Sequence, residues 1–413
     1  MFDNVLHQSA TSLLSDDIAR KSLPGSILFS GPASSGKLTC ALELARVLSC
    51  TGEERGAWTC TCPSCLKHKA LVSQSVLLVG PSNRTLELQA AKDTLLSQFA
   101  NDGKHLEASR YLYVRAVRKL TMRFNPVLWQ GESKLAKFAP LVQSIDDCLE
   151  LIEPGKALPS ADDLDKLLAD IEKNAIKLES DMLYRSLPVA QIRAASMWAH
   201  LSSTSGKKVL IIESADLMES SAKNALLKIL EEPPEDCQFI LTTAHRSSLL
   251  PTILSRVRTY SFFEREDAFQ KEVIERVFHY KPFAGESYPV SIDSFLQAYL
   301  PVPPNDVKAQ ASRYFKTIAE GHVPDIYALS SACNSFSPRE LFRIFLTGII
   351  DAQKSLSKTP QGSECSAKLL EEIDATRNSV FVFNQTPISA LEELARNIMQ
   401  INFVSGGVLK EAL

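Results

Sequence analysis

The residues of this chain best suited to chemistry begin at Gly31. Gly31-Pro32-Ala33-Ser34-Ser35-Gly36-Lys37 matches G-x-x-x-x-G-K. In such a loop the glycines let backbone N–H groups close around phosphate oxygens, and the lysine reaches the terminal phosphates. The next residue ordinarily carries a hydroxyl that holds magnesium. Here it is Leu38, and Thr39 lies about 100° further round the following helix. A second cluster is Val209-Leu210-Ile211-Ile212-Glu213, an apolar run ending in a carboxylate. Glu213 sits where a magnesium-shell carboxylate belongs in a phosphate site. The water-activating position after it is Ser214, a poor base at neutral pH. Asp216 lies past the end of the run and reads as a cap for the next helix. The candidate nucleotide-binding set is therefore Gly31, Ser34, Ser35, Gly36, Lys37, Leu38, Thr39 and Glu213. Two of its usual elements, the magnesium hydroxyl and the base, are altered. A tight glycine turn without nucleotide is the plainer alternative, so ATP and magnesium both stay open.

The third cluster is Cys50, Cys60, Cys62 and Cys65, spaced C-x9-C-x-C-x2-C. Four thiolates at such spacing suit a tetrahedral structural zinc, and a full sulfur shell leaves no open position for catalysis. A group of reduced thiols is the alternative. His68 is superfluous to such a set and reads as a solvated surface histidine. Cys40, Cys148, Cys237, Cys333 and Cys365 are scattered and read as ordinary small residues.

These groups need a scaffold. Ser26–Ser30, Val76–Val79, Val209–Ile212 and Phe239–Thr242 are continuous apolar runs, as expected for a parallel sheet covered on both faces. Lys37–Leu48 has helical apolar spacing, so the first unit reads strand, glycine loop, helix. Between the second and third strands about 130 residues intervene, too many for one crossover. We read residues 92–184 as a helical insertion, a protruding hairpin being one form of it, with Pro126, Pro140, Pro154 and Pro159 as punctuation. Its Arg110, Arg115, Arg118, Lys119 and Arg123 fit a phosphate-binding stripe, a solvated face, or pairing with the acidic 145–181 region. After Tyr260 strand signals largely stop. Helical patterns follow at 266–279, 291–300, 307–319, 338–355, 366–377 and 388–400, with Pro301, Pro303 and Pro304 as a linker.

Composition narrows the function classes. Hydrophobic residues are 45% and charged residues 23%, with net charge −3. That excludes a disordered chain and a wholly basic nucleic-acid coat. No run reaches the roughly 18 apolar residues of a membrane span. The start, Met1-Phe2-Asp3-Asn4, has no basic and apolar leader pattern, so a cytoplasmic protein with reduced thiols is expected. There is no internal repeat or low-complexity segment.

Taken together, these features resemble a known family. The phosphate loop, the cysteine cluster after the first helix and Ala225-Leu226-Leu227-Lys228-Ile229-Leu230-Glu231-Glu232-Pro233-Pro234 are similar to the bacterial clamp-loader AAA+ subunits of DNA polymerase III. Leu250-Pro251-Thr252-Ile253-Leu254-Ser255-Arg256-Val257 is similar to that family's S-R-C segment, with Val257 in place of its cysteine. Met1–Val5, the Gly36-Lys37-Leu38-Thr39 form of the loop, and Asn384-Gln385-Thr386-Pro387 resemble its delta-prime branch rather than gamma/tau. The resemblance is dense over 1–80 and 188–260, weak in the helical regions and absent over the insertion.

The resemblance implies an α/β AAA+ P-loop domain, a parallel sheet with helices on both faces, followed by an all-α lid and an all-α collar. The expected bounds are 1–259, with the zinc module at 50–65 and the insertion at about 92–184, then 260–304 for the lid and 305–413 for the oligomerising collar. It implies a subunit that helps load a sliding clamp on primed DNA within the DNA-directed DNA polymerase holoenzyme, alongside gamma/tau and delta subunits and without a membrane. Arg256 matches the arginine finger that such a subunit donates in trans to a neighbour's ATP. Through the same resemblance Thr242, at the end of the Phe239–Thr242 run, joins the candidate nucleotide-binding set. With Leu38 and Ser214 altered, and no G-S-x-R pattern in the lid, a non-hydrolysing stator is expected. An active ATPase motor of the same complex, or an unrelated P-loop kinase or repair ATPase, is the alternative.

Overall fold

The protein is described here as a computed structural model covering residues 1–81, 84–184, 186–201, 207–282 and 288–412. It divides into two compact units, Met1–Leu296 and Gln297–Leu413.

The first unit is built on five parallel strands. They are β1 (Ser26–Ser30), β2 (Val76–Val79), β3 (Lys208–Ile212), β4 (Cys237–Thr243) and β5 (Arg258–Ser261), in the order β2-β3-β4-β1-β5. Alternate residues of the strands supply opposite faces. Ile27, Phe29, Leu78 and Ile240 join α1 (Ala10–Ala19) and α2 (Lys37–Ser49) in one core. Leu28, Leu77, Val79 and Phe239 face the other. The fifth strand is absent from the sequence reading for a physical reason. Arg258-Thr259-Tyr260-Ser261 is an edge strand with only Tyr260 buried, so it shows no apolar run.

The short α3 (Pro63–Lys69) follows the cysteine loop. The long segment between β2 and β3 is helical, comprising α4 (Thr85–Ala100), α5 (Leu106–Thr121), α6 (Leu135–Leu151), α7 (Ala161–Lys177) and α8 (Val189–His200). In α7, Leu164, Leu168, Ile171 and Ala175 form one buried stripe, and the Ser160 hydroxyl caps the Asp163 N–H. The segment does not protrude. Trp129, Phe138, Ile145, Leu164 and Leu168 belong to the same core as Leu28 and Leu210 of the sheet. Nor does Pro140 interrupt it, since α6 runs straight through that residue.

The basic residues of α5 also turn inward, against both the phosphate-stripe and the solvated-face readings. Arg110 reaches Glu107 and the carbonyls of Ile152 and Glu153, and Arg118 pairs with Glu153 at 2.6 Å. Arg115 holds the Lys69 carbonyl at 2.6 Å.

Beyond β3 come α9 (Ser220–Glu231), α10 (Pro251–Leu254), α11 (Asp267–Val277) and α12 (Ile292–Gln297). The boundary between the units falls at 296/297. The segment expected as a separate lid, 260–304, thus gives α11 and nearly all of α12 to the first unit, and its residues 283–287 lie outside those described.

The second unit is helical, with α13 (Pro304–Ala319), α14 (Ile326–Ala332), α15 (Glu340–Ala352), α16 (Pro360–Phe381) and α17 (Pro387–Val404). Helices α13 and α15 pack closely, because a Cβ at Gly348 would lie 2.7 Å from that of Ala311. The Tyr314 hydroxyl donates to the Leu391 carbonyl at 2.8 Å. Among the described residues no helix is long and apolar enough to cross a membrane.

Candidate nucleotide and metal sites

The phosphate loop leaves β1 at Gly31, where a Cβ would collide with the Phe262 carbonyl. Ser34 (φ 53°) and Gly36 (φ 92°) take left-handed conformations, so the turn curls into a nest ahead of α2. The chain's own side chains bind the carbonyls and hydroxyls of the loop. Lys37 Nζ donates to the Gly31 carbonyl at 2.7 Å, to the Pro32 carbonyl and to Ser35 Oγ at 3.3 Å. Burial brings the Lys37 ammonium down to about 8, although Glu213, Asp216 and Asp293 oppose the shift. Arg265 donates to the Ser34 and Ser35 carbonyls at 3.0 and 3.1 Å. The Ser34 hydroxyl donates to Asp293 of α12. Leu38 is buried in the sheet's core, so the magnesium-hydroxyl position is part of the packing, and Thr39 is half-buried.

Across the sheet end, Glu213 is brought up to Gly80, whose missing Cβ gives it room. Its two oxygens accept from Arg84 Nη2 and Arg123 Nη2. Arg84 also pairs with Glu87 at 3.1 Å, and Glu87 with Lys119. Burial would raise the Glu87 carboxyl, but Lys119 and Arg84 outweigh it and hold it at about 2. Ser214 turns through a left-handed corner (φ 52°), and its N–H donates to Thr242 Oγ1 at 3.2 Å. Asp216 does not cap α9. It is buried and accepts from Thr243 Oγ1 at 2.7 Å.

Arg256 lies at the other end of the sheet. Arg258, two residues on, is level with Ile27 of β1, while the phosphate loop leaves that strand only after Ser30. Arg258 and Gly31 are thus about 13 Å apart along the strand axis. At the surface, Arg256 Nη2 binds Glu231 Oε1 at 2.7 Å, and Nη1 donates to the Thr252 carbonyl at 2.9 Å.

The four cysteine sulfurs converge. Sγ atoms of Cys50, Cys60, Cys62 and Cys65 all lie within 4.8 Å of one another, a set that can hold a metal ion. Zn–S bonds of 2.3 Å at tetrahedral angles put sulfurs about 3.8 Å apart, and Cys50 and Cys60 are 3.7 Å apart. A Cβ at Gly52 would come within 2.5 Å of Cys60 Sγ, so the loop admits only glycine there. Burial works against the Cys62 thiolate, but the N–H groups of Cys65 and Thr51 bring the thiol down to about 5. His68 is not a surface residue. It is 4% exposed beneath the metal loop, outside the sulfur cluster, and burial lowers its imidazole to about 4.

Arg84, Arg265, Asp293 and Arg46 escaped the sequence reading. Several of their partners are far away in sequence, while the i,i+3 pairs Glu43–Arg46 and Arg84–Glu87 left only a local signal.

A phosphate loop between β1 and α2, in a parallel sheet of this order with helices after it, defines an AAA+ P-loop domain followed by helical domains. The sequence profile of the family described as "DNA polymerase III, delta subunit" matches residues 6–126 and 151–266, more than half of the chain. The chain belongs to that family. The profile runs through most of the 92–184 segment and leaves out only 127–150, which holds Trp129 and most of α6.

Individual relatives match over shorter stretches. The "DNA polymerase III subunit delta'" of Bacillus subtilis is 42% identical over 78 residues, 19% of this chain and 24% of the relative. That of Pseudomonas aeruginosa is 36% identical over 91 residues, 22% of this chain and 28% of the relative. The "DNA polymerase III subunit gamma/tau" of Mycobacterium tuberculosis is 46% identical over 55 residues, 13% of this chain and 10% of the relative. The chain thus spans about a quarter or less of the length of these curated relatives.

Proposed function

We propose that this chain is a clamp-loader subunit of the replicative DNA polymerase, acting as a non-hydrolysing stator that lends Arg256 to a neighbouring ATPase subunit. The observation that carries the reading is the state of Glu213. A carboxylate already neutralised by two guanidinium groups has no charge left to bind the magnesium of ATP. Leu38 supplies no hydroxyl, and Ser214 supplies no base. The contact of Ser214 with Thr242 is made by its backbone N–H, and a serine hydroxyl is too weak a base at neutral pH to activate water.

Arg256 needs no nucleotide of its own to function. Its place at the opposite end of the sheet suits a partner's γ-phosphoryl group, where a planar guanidinium can neutralise the developing charge. The partners in this reading are gamma/tau and delta subunits, the sliding clamp and, through the complex, primed DNA. The unit Gln297–Leu413 serves as the assembling collar, the cysteine centre holds structural zinc, and the protein works in the cytoplasm.

The test is reconstitution with gamma/tau and delta subunits. Alone, the chain is expected to show no magnesium-dependent ATP turnover. In the complex, Arg256→Ala is expected to cut hydrolysis at the one neighbouring site by roughly 10³-fold or more, with assembly intact by size-exclusion chromatography. Turnover by the isolated chain that Lys37→Ala abolishes would make it a motor instead.

A further inference from the structure

One side chain joins the cysteine centre to the helix that starts at the phosphate loop. Arg46, in the last turn of α2, is 1% exposed, and all five of its N–H donors are used. Nε and Nη2 fork onto the Glu43 carboxylate at 2.6–3.0 Å. Nη2 also holds the Gly56 carbonyl at 2.7 Å, and Nη1 holds that of Ala57 at 3.0 Å. The last donor of Nη1 reaches Cys65 Sγ at 3.2 Å. The guanidinium also lies 5.4 Å from the centre of the Trp58 ring, with Lys69 Nζ at 5.2 Å.

The segment between Cys50 and Cys60 contains no helix or strand of its own. Gly56, at φ 81°, folds it back onto Val47. Arg46 holds two of its carbonyls, Arg55 donates to the Leu48 carbonyl at 3.3 Å and Lys69 Nζ holds the Cys60 carbonyl at 2.9 Å; the course so fixed decides where Cys60 and Cys62 meet Cys50 and Cys65. Zn²⁺ with four thiolates carries a formal charge of about 2−. A cationic N–H donor on one sulfur lowers the cost of burying that charge, as outer partners of metal ligands do.

We propose that Arg46 is the positioning residue of the metal centre: it sets zinc affinity by fixing the 51–61 loop and by donating to the Cys65 thiolate. The proposal rests on the tetrathiolate zinc site of the preceding reading. Lysine cannot replace it, because an ammonium offers three donors from one point and cannot span Glu43, two carbonyls and a sulfur.

The experiment is zinc competition between the full chain and a chromophoric chelator, together with absorption spectra of the cobalt(II)-loaded protein. Wild type is expected to bind one zinc. Arg46→Lys is expected to weaken binding by roughly 10–100-fold, to shift the cobalt–thiolate bands and to leave the circular dichroism of the zinc-loaded protein unchanged. Zinc affinity within about twofold of wild type in that variant overturns the role of Arg46 while leaving the metal site standing. A wild-type chain that binds no zinc overturns the metal reading itself. Should Arg46→Lys fail to fold, Glu43→Gln decides. It loosens the fork without deleting the guanidinium and is expected to weaken zinc by roughly three- to tenfold. Unchanged affinity there overturns the proposal as well.

Discussion

Replacing Glu213 with glutamine separates a magnesium carboxylate from an internal counterion. In a metal-holding site, removing such a carboxylate relieves repulsion among anions, and the fold is as stable or more so. Here each carboxylate oxygen takes one guanidinium. Glutamine offers one acceptor oxygen, and its NH₂ must face an N–H donor. Arg84 keeps Glu87 at 3.1 Å as compensation. Arg123, 1% exposed, keeps the Lys119 carbonyl as its one remaining hydrogen-bond acceptor among the described residues. Breaking a buried pair costs about 3–5 kcal/mol; with Arg84 compensated, we expect the lower end, about 3 kcal/mol. That corresponds to roughly a hundredfold loss of amide protection in β3, at 1.36 kcal/mol per tenfold. Hydrogen exchange of the full chain, read at Lys208–Ile212, measures it. A Glu213→Gln chain as stable as wild type would refute the argument, particularly if magnesium protected wild type but not the variant.

Three further outcomes follow from other contacts. The folded Glu87 carboxyl, at about 2, lies below its ordinary value of 4.5. Its contribution, about 3 kcal/mol by linkage, is therefore fully present above about pH 4.5 and lost as pH falls toward 2; in urea titrations Glu87→Gln should flatten that part of the profile. Trp129→Ala should cost about 3–5 kcal/mol, and because Trp129 shares its core with Leu28 and Leu210, strand amides should lose protection along with α6; loss confined to α6 would refute the shared core. Asp293→Ala removes a carboxylate from beside Ser34 and Lys37, so magnesium-free pyrophosphate should bind about fivefold tighter, or about 1 kcal/mol for one screened charge; unchanged affinity by calorimetry would show that Asp293 does not bear on the loop.

The four buried strands were legible because a parallel sheet covered on both faces demands uninterrupted Val, Ile, Leu and Phe. The edge strand at Arg258 makes no such demand and was silent. The phosphate loop and the cysteines were legible because their chemistry is encoded in spacing over a few residues. What the loop does was less so. The residues that bind its carbonyls and its Ser34 hydroxyl, Arg265 and Asp293, lie more than 200 positions away in sequence. The α5 arginines illustrate the same limit. Charge at helical spacing marks a face, but whether that face meets water depends on the partners the fold brings to it, and here those were Glu153 and the carbonyls of Ile152 and Lys69.

The order of the strands has a consequence for synthesis. β1 sits between β4 and β5, so both of its neighbours are encoded about 210–230 residues after it. At ~5–20 residues per second, a ribosome needs roughly 10–45 s to supply them. During that interval Ile27, Leu28 and Phe29 have no strand to pair with. β2 likewise waits about 130 residues for β3. The helices encoded between them emerge first, yet their apolar faces are built to close on strands that are not yet paired. The nascent N-terminal half therefore presents unpaired strand edges and an open helical layer together, a natural client for holding chaperones. The pairings of β4 with β3 and β1 wait for Cys237–Thr243 to leave the exit tunnel, and the fifth strand is added last at the edge.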